Sequence, residues 1–172
     1  HTHEPVMSPP TPSSIETEFA ERCDRGHARV CGDTRPPALL KRLAAWRDDR
    51  LVRQALKVAG EPGLILDLAC GSGRFWPVLA EHINRVILAS DNSQAMLDHA
   101  RTHHPASLLK RVKTFQGSAF SIGLSANAVD CIFCLELFRH VPNSDGRLAL
   151  LREFHRVSRD TVIVSVNAHT PV

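Results

Sequence analysis

Two glycines and a later aspartate are the residues of this sequence that most clearly indicate a binding site. In residues 64–76, Leu-Ile-Leu-Asp-Leu-Ala-Cys-Gly-Ser-Gly-Arg-Phe-Trp, an apolar segment leads into an aspartate and then into a turn that contains Gly71 and Gly73. Glycines let a backbone approach a ligand more closely than side chains permit. Asp91 follows a second apolar segment, Val86–Ala89, and its carboxylate can accept hydrogen bonds from both hydroxyls of a ribose. The spacing predicts a pocket for a cofactor that contains a nucleoside.

The residue that follows the turn disfavours a dinucleotide. A dinucleotide-binding turn has a third glycine three residues after Gly73, because helix and strand pack closely there. This sequence has Trp76 at that position, and it contains no Gly-Lys-Ser/Thr phosphate loop. A pyrophosphate ligand is therefore disfavoured, whereas a nucleoside without phosphates still fits.

Alternating strands and helices are predicted to position these residues. A helix opened by Pro36 and Pro37 is expected to run to about Val58. Its apolar residues, which we expect in the core or in a lid, are Leu39, Leu40, Leu43, Trp46, Leu51, Val52 and Leu56. The later predicted elements are strand 64–68, helix 73–83, strand 86–90, helix 93–103, strand 112–116, strand 129–135, helix 144–157 and strand 161–166. Ser93 is the predicted cap of one helix, and Asn143 or Ser144 that of another.

Strands that alternate with helices imply a doubly wound, mostly parallel α/β sheet. Five strands in the order 3-2-1-4-5 place a ligand at the switch point between the first and the fourth strand. The fifth strand contains Val162, Ile163, Val164 and Val166, and it would lie bare at the sheet edge. We expect a second copy of the chain, the N-terminal helices or residues beyond this sequence to cover it.

The sequence predicts one domain with N-terminal additions. Residues 1–14 contain four prolines and are expected to be a disordered tail or a vector remnant. Residues 15–60 are predicted to form a helical cap. Residues 61–172 are predicted to form the ligand-binding core.

Charge and cysteine content narrow the function classes. The 172 residues carry a formal net charge of +3, with no basic arm that would favour nucleic acid. Five cysteines without scaffold spacing favour a reducing compartment. No apolar run reaches the roughly 18 residues of a membrane span, and no signal peptide is visible. We therefore expect a cytoplasmic protein.

Several segments occur in the order and at the spacing of a known family. They are Asp67-Leu-Ala-Cys-Gly-Ser-Gly, Asp91-Asn-Ser-Gln-Ala-Met-Leu, Gly117-Ser-Ala and Val129-Asp-Cys-Ile-Phe-Cys-Leu-Glu-Leu-Phe-Arg-His. Together they resemble the motifs of class I S-adenosylmethionine-dependent methyltransferases, of which the ubiquinone-biosynthesis-like small-molecule branch (methyltransferase type 11) is the most similar. The resemblance covers roughly residues 60–166. It implies a Rossmann-like fold, S-adenosylmethionine as cofactor and S-adenosylhomocysteine as product.

The resemblance also assigns residues to parts of the cofactor. It implies contacts of the methionine end with Asp67, Ala69, Cys70, Gly71 and Gly73, of the ribose with Asp91, of the adenine with Asn92, Met96, Ser118 and Ala119, and of the methyl-transfer region with Leu135 and Glu136.

The sequence departs from the family pattern in three places. Ala69 replaces the first glycine of the turn, a small change in volume. Ser118 stands where an acidic residue is common, so the contact to the adenine amino group is expected to be weaker or to come from backbone. The last two strands of the family are missing from this sequence, and they often help to shape the substrate pocket.

His140 and Glu136 are the candidate catalytic residues. A general base is needed when the acceptor arrives protonated, and both residues follow the fourth strand at the correct rim. Packing or capping is the alternative role of each. Cys131 and Cys134 have the spacing of metal ligands, but alternation along a strand sends their side chains to different neighbours, so we expect two buried thiols and no metal.

The predicted function is methyl transfer to an oxygen, nitrogen or carbon atom of a small-molecule acceptor by in-line displacement. One alternative is a module that binds S-adenosylmethionine without transferase activity. A nucleic-acid methyltransferase is less favoured, because Cys134-Leu-Glu-Leu lacks the Asn/Asp-Pro-Pro-aromatic tetrad of exocyclic-amine methylases. A nicotinamide-dependent oxidoreductase would rest on the fold alone.

Overall fold

The computed structural model describes residues 38–165. The predictions for the tail 1–14, for the part of the helical cap before residue 38 and for the end of the chain at 166–172 lie outside the described residues. The elements of the described part are α1 (Ala38–Val58), β1 (Leu64–Leu68), α2 (Trp76–Leu79), β2 (Val86–Asp91), α3 (Gln94–His103), α4 (Ala106–Leu109), β3 (Val112–Gln116), β4 (Val129–Cys134), α5 (Glu136–His140), α6 (Ser144–Val157) and β5 (Ser158–Val164).

The five strands form one parallel sheet in the order β3-β2-β1-β4-β5, which confirms the predicted topology. β1 pairs with β2 from Leu64↔Val86 to Leu68↔Ser90 and with β4 at Asp67↔Phe133. β2 and β3, which follow β1 in the chain, lie on one side of β1, and β4 and β5 lie on its other side. In such sheets the switch point opens a crevice at the carboxyl ends of the two strands.

Apolar side chains cover both faces of the sheet, because successive residues of a strand point to opposite sides. Ile65 packs in a cluster with α1, α2 and α3, and Leu66 packs in a second cluster with α5 and α6. Cys131 and Cys134 are both buried and belong to different clusters. The alternation that predicted buried thiols with different neighbours is therefore seen in the structure.

The predicted helix 73–83 is wrong in its extent, since only Trp76–Leu79 is helical. Beyond it the Arg111 guanidinium, which precedes β3, donates hydrogen bonds to the carbonyls of Ala80, His82, Ile83 and Arg85. A side chain from elsewhere in the fold therefore bonds carbonyls that a longer helix would bond internally. Apolar periodicity carries no sign of such a distant partner.

α1 ends where it was predicted to end, but most of its apolar residues are not in the core. Val52 and Leu56 are buried. The exposed apolar residues of α1 are Leu39, Leu40, Leu43, Trp46, Leu51 and Val58. The expectation that these residues lie in the core is thus wrong for the N-terminal half of this helix, and the alternative of a lid stays a prediction.

Smaller differences concern helix and strand ends. Ser93 caps α3 by accepting a hydrogen bond from the Met96 amide, and Asn143, not Ser144, caps α6. The short helices α4 and α5 were not predicted. β5 begins at Ser158, directly after α6, and not at residue 161.

Candidate functional site

The residues that the sequence singled out lie at the carboxyl edge of the sheet, each after a strand. Asp67 lies near the end of β1, and the turn 69–73 follows it. Asp91 ends β2, and Ser118 and Ala119 follow β3. Leu135 and Glu136 follow β4, where α5 begins. The fold therefore gathers segments that are distant in the sequence around the crevice between β1 and β4.

Asp91 joins the glycine turn to the start of α3. Its Oδ2 accepts a hydrogen bond from the Gly71 amide at 3.0 Å, and its Oδ1 accepts one from the Ser93 amide at 2.9 Å. Both oxygens of the carboxylate therefore accept a backbone hydrogen bond, and each carboxylate oxygen can accept more than one. These two hydrogen bonds hold the carboxylate in one orientation, next to Gly71, which has no side chain.

The turn itself requires glycine. Gly71 and Gly73 have φ angles of +56° and +73°, which side-chain-bearing residues rarely adopt. A Cβ on Gly73 would lie 2.5 Å from the Trp76 ring, and one on Gly71 would lie 3.8 Å from Cε of Met96. Trp76 thus fills the space beneath the turn, and Met96 lies beside it.

Ala69 adopts the left-handed conformation as well, with φ +53°. This is the position at which the family pattern has glycine. The substitution was expected to cost little volume, but the structure shows that its cost lies in the backbone, because an alanine in this conformation is strained.

A buried hydrogen bond lies at the floor of the turn. The Trp76 indole Nε1–H donates to Oδ2 of Asp67 at 3.1 Å, and both side chains are buried. Burial raises the pKa of the Asp67 carboxyl to about 8, the Trp76 hydrogen bond lowers it, and the charges of Asp91 and Glu136 raise it further. Sequence reasoning treated Trp76 only as an obstacle to dinucleotides and missed its role as the donor to Asp67.

His104 is a second residue that sequence reasoning missed. Its Nε2 lies 2.8 Å from the Ser72 carbonyl oxygen, and its ring centroid lies 5.1 Å from that of Trp76. The imidazole therefore supports the turn from the side of α3. No local pattern signals this contact, because the two partners are 32 residues apart.

Arg74 fastens α1 to the same turn. Its guanidinium contacts Oδ1 of Asp49 at 3.3 Å and the Ala45 carbonyl at 3.5 Å, and it lies 4.5 Å from the Phe75 ring centroid. α1 consequently passes beside the glycine turn, and its N-terminal residues continue beyond it.

The segments after β3 and β4, which the family resemblance assigns to the adenine and to methyl transfer, border the same edge of the sheet. The Gly117 amide donates to the Asp91 carbonyl at 3.0 Å, so the loop with Ser118 and Ala119 runs next to the end of β2. Glu136 pairs with Arg139 at 2.7 Å, and His140 is exposed at the end of α5. Cys70 is buried, and burial raises the pKa of its thiol, so the thiol stays protonated at neutral pH.

Residues 38–165 lack two further kinds of feature. No group of three or more His, Cys, Asp or Glu side chains in this part is arranged to hold a metal ion. None of its helices is long and apolar enough to cross a membrane.

Residues 65–161, more than half of the chain, match the family described as Methyltransferase domain. The chain belongs to this family. An uncharacterised methyltransferase-like protein of Schizosaccharomyces pombe is 33% identical over 98 residues, which are 56% of this chain and 34% of that protein. The chain thus spans about a third of the length of this curated relative.

Solved structures share the methyltransferase-type fold. A magnesium protoporphyrin IX methyltransferase from Synechocystis PCC 6803 with bound S-adenosylmethionine superposes with a TM-score of 0.66, at 20% identity, over 92% of this chain and 76% of that one. A putative sarcosine dimethylglycine methyltransferase from Galdieria sulphuraria gives 0.60, at 23% identity, over 69% and 45% of the two chains. The predicted Rossmann-like class and the resemblance to methyltransferases are confirmed.

Proposed function

We propose that this chain binds S-adenosylmethionine at the carboxyl edge of β1 and β2 and transfers its methyl group to a small-molecule acceptor. One observation carries the proposal: the Asp91 carboxylate is held 3.0 Å from the Gly71 amide. A pair of acceptor oxygens for ribose hydroxyls therefore stands beside backbone that a ligand can approach closely. Membership of the methyltransferase-domain family supports the same cofactor.

The chemistry of the surrounding residues fits this cofactor. Gly71 leaves the turn without a side chain beside the Asp91 carboxylate, and Asp67 supplies a carboxyl group behind the turn. S-adenosylmethionine carries a positive ammonium group at its methionine end. A cation near a carboxyl group lowers its pKa, so binding would favour the ionised form of Asp67.

Alignment is the main contribution that the protein makes to such a reaction. When bound, S-adenosylmethionine supplies a methyl group on a positively charged sulfur, which an acceptor attacks in line. Asp91 and the turn would fix the nucleoside, and Leu135 would border the acceptor side. His140 is the proposed general base for a protonated acceptor, because imidazole accepts protons near neutral pH, with Glu136 as the second candidate.

The small-molecule acceptor is supported by weaker observations. The two structural neighbours named above are described as acting on sarcosine and dimethylglycine and on magnesium protoporphyrin IX, which are small molecules. The charge of the chain is nearly balanced, which gives no general attraction for nucleic acid.

A methyl-transfer assay tests the proposal. The full chain is incubated with S-adenosylmethionine labelled in its methyl group and a panel of amine, hydroxyl and activated-carbon acceptors, and S-adenosylhomocysteine is measured. Turnover with at least one small acceptor is expected. Tight binding of S-adenosylmethionine without turnover across the panel would instead identify a binding module, and salt-sensitive methylation of RNA or DNA would identify a nucleic-acid enzyme.

A further inference from the structure

The N-terminal half of α1 presents large apolar side chains to solvent. Their exposed fractions are 69% for Leu39, 56% for Leu40, 54% for Leu43, 59% for Trp46 and 52% for Leu51. Scattered exposed apolar residues are ordinary, but contiguous ones mark contact surfaces. We call these five residues the apolar face of α1.

This face points away from the rest of the domain. Helical residues advance by about 100° each, so Leu39, Leu43 and Trp46 share one stripe. The buried residues Val52 and Leu56 lie roughly on the opposite side of the helix. The contacts that fasten α1 to the domain, among them the pair of Asp49 with Arg74, thus leave the apolar face unoccupied by the other described elements.

Basic residues are interspersed with the apolar face along α1, and the two acids of the helix contact Arg74. The basic residues of α1 are Lys41, Arg42, Arg47, Arg50, Arg53 and Lys57. Of these, only Arg53 has an ion-pair partner among residues 38–165, which is Glu81. The two acids of the helix, Asp48 and Asp49, are both engaged by Arg74. The Arg50 guanidinium lies 5.5 Å from the centroid of the Trp46 ring.

An apolar stripe containing tryptophan and leucine, next to arginines that have no ion-pair partner within residues 38–165, has the chemistry of a helix that lies in the headgroup region of an anionic bilayer. The apolar side chains enter the acyl boundary, and the cations meet lipid phosphates and carboxylates. We propose that the apolar face of α1 binds the surface of an anionic lipid bilayer. A nucleic-acid surface would use the same cations but would leave the five apolar side chains unexplained.

This binding does not depend on methyl transfer. The apolar face contains no residue of the glycine turn or of the acceptor side, and its composition is a property of α1 alone. The proposal therefore stands or falls separately from the proposed activity.

Vesicle binding of the full chain tests the proposal. Sedimentation with phosphatidylcholine vesicles and with mixed phosphatidylcholine–phosphatidylserine vesicles is compared at low and high salt. Binding to the anionic vesicles that weakens with salt is expected, with little binding to the neutral ones. The fluorescence of Trp46 reports binding directly, because brominated lipids should quench it. Trp76 is fully buried, and its fluorescence should not be quenched.

Substitutions in the apolar face of α1, compared with a substitution elsewhere, test which residues carry the binding. Leu43→Ser with Trp46→Ser should reduce binding by more than about tenfold, because both apolar groups leave the interface. Leu148→Ser is the matched control, since Leu148 is 47% exposed on α6. All three side chains are exposed, so unfolding midpoints should stay close to that of the wild type.

The proposal is overturned by failure of the wild type to bind anionic vesicles, or by binding that survives the double variant. It is also overturned if sedimentation in solution shows a dimer that the double variant abolishes while vesicles bind nothing, which would assign the face to a second copy of the chain. Binding to duplex RNA that is equal in wild type and double variant, without vesicle binding, would assign the cations to nucleic acid.

Discussion

The Trp76 indole donates a hydrogen bond of 3.1 Å to Oδ2 of the Asp67 carboxyl group beneath the glycine turn, where both side chains are buried. The residue that excludes a dinucleotide therefore also holds the acid expected near the methionine end of the cofactor. Gly73 makes this possible, because any Cβ there would overlap the indole ring. Turn, tryptophan and aspartate form one packed unit.

Burial of Asp67 predicts a stability that depends on pH. The pKa of its carboxyl is raised from 3.8 to about 8, so between these values the folded state holds a proton that the unfolded chain releases. The free energy of unfolding should therefore fall as pH rises through this interval. Asp67→Asn should flatten that fall in denaturant titrations across pH, whereas Asp98→Asn, at an exposed carboxylate of α3, should retain it. An unchanged slope in Asp67→Asn would contradict the assignment.

Backbone strain at Ala69 predicts a stabilising substitution. Its φ of +53° costs an alanine about 1 kcal/mol or more, and glycine removes this cost while losing part of the gain to chain entropy. Ala69→Gly should raise the free energy of unfolding by about 0.5 kcal/mol. Ala95→Gly, in the helical region of α3, should lower it by up to about 1 kcal/mol. A loss of stability in Ala69→Gly would show that the alanine is not strained.

The contact of His104 with the turn can be tested separately from the ring stacking. His104→Phe keeps an aromatic ring near Trp76 but removes the 2.8 Å hydrogen bond to the Ser72 carbonyl. Stability should fall by about 1 kcal/mol, and affinity for S-adenosylmethionine should fall with it because the turn loosens. His103→Phe, at an exposed position, is the control for both measurements. If the two variants have equal stability and equal affinity for S-adenosylmethionine, His104 does not support the turn.

His140 is expected to act on turnover and not on cofactor binding. His140→Ala should leave the affinity for S-adenosylmethionine unchanged and lower kcat by about a hundredfold or more if the imidazole accepts the acceptor proton. The pH profile of the rate should differ between the variant and the wild type. His155→Ala on α6 is the control. Identical rates across pH would exclude His140 as the base.

The topology and the positions of Asp67, Gly71, Gly73 and Asp91 followed from the sequence because short-range patterns determine them. An apolar run that ends in an aspartate and a glycine turn is visible locally, and parallel strands bring their carboxyl ends to one edge. The acceptor was not predictable, since the local pattern of residues 64–76 indicates a cofactor and carries no information on which molecule is methylated.

The wrong predictions for helix 73–83 and for the burial of α1 share one cause, which is contact between residues that are distant in the sequence. The helix expected to reach residue 83 stops at Leu79, where carbonyls turn toward Arg111. Periodicity indicated that α1 is amphipathic, but apolar residues lie on two sides of this helix. Docking through Val52 and Leu56 decides which face is buried, and that choice depends on the shape of the domain.

Calorimetric titration with S-adenosylmethionine tests the central claim most directly. The wild type should bind one equivalent, and Asp91→Ala should bind more than about tenfold more weakly, because it loses charged hydrogen bonds to the ribose and the anchor of the Gly71 amide. Asp98→Ala should bind like the wild type. A wild type that binds no S-adenosylmethionine, or an Asp91→Ala variant with unchanged affinity, would contradict the account.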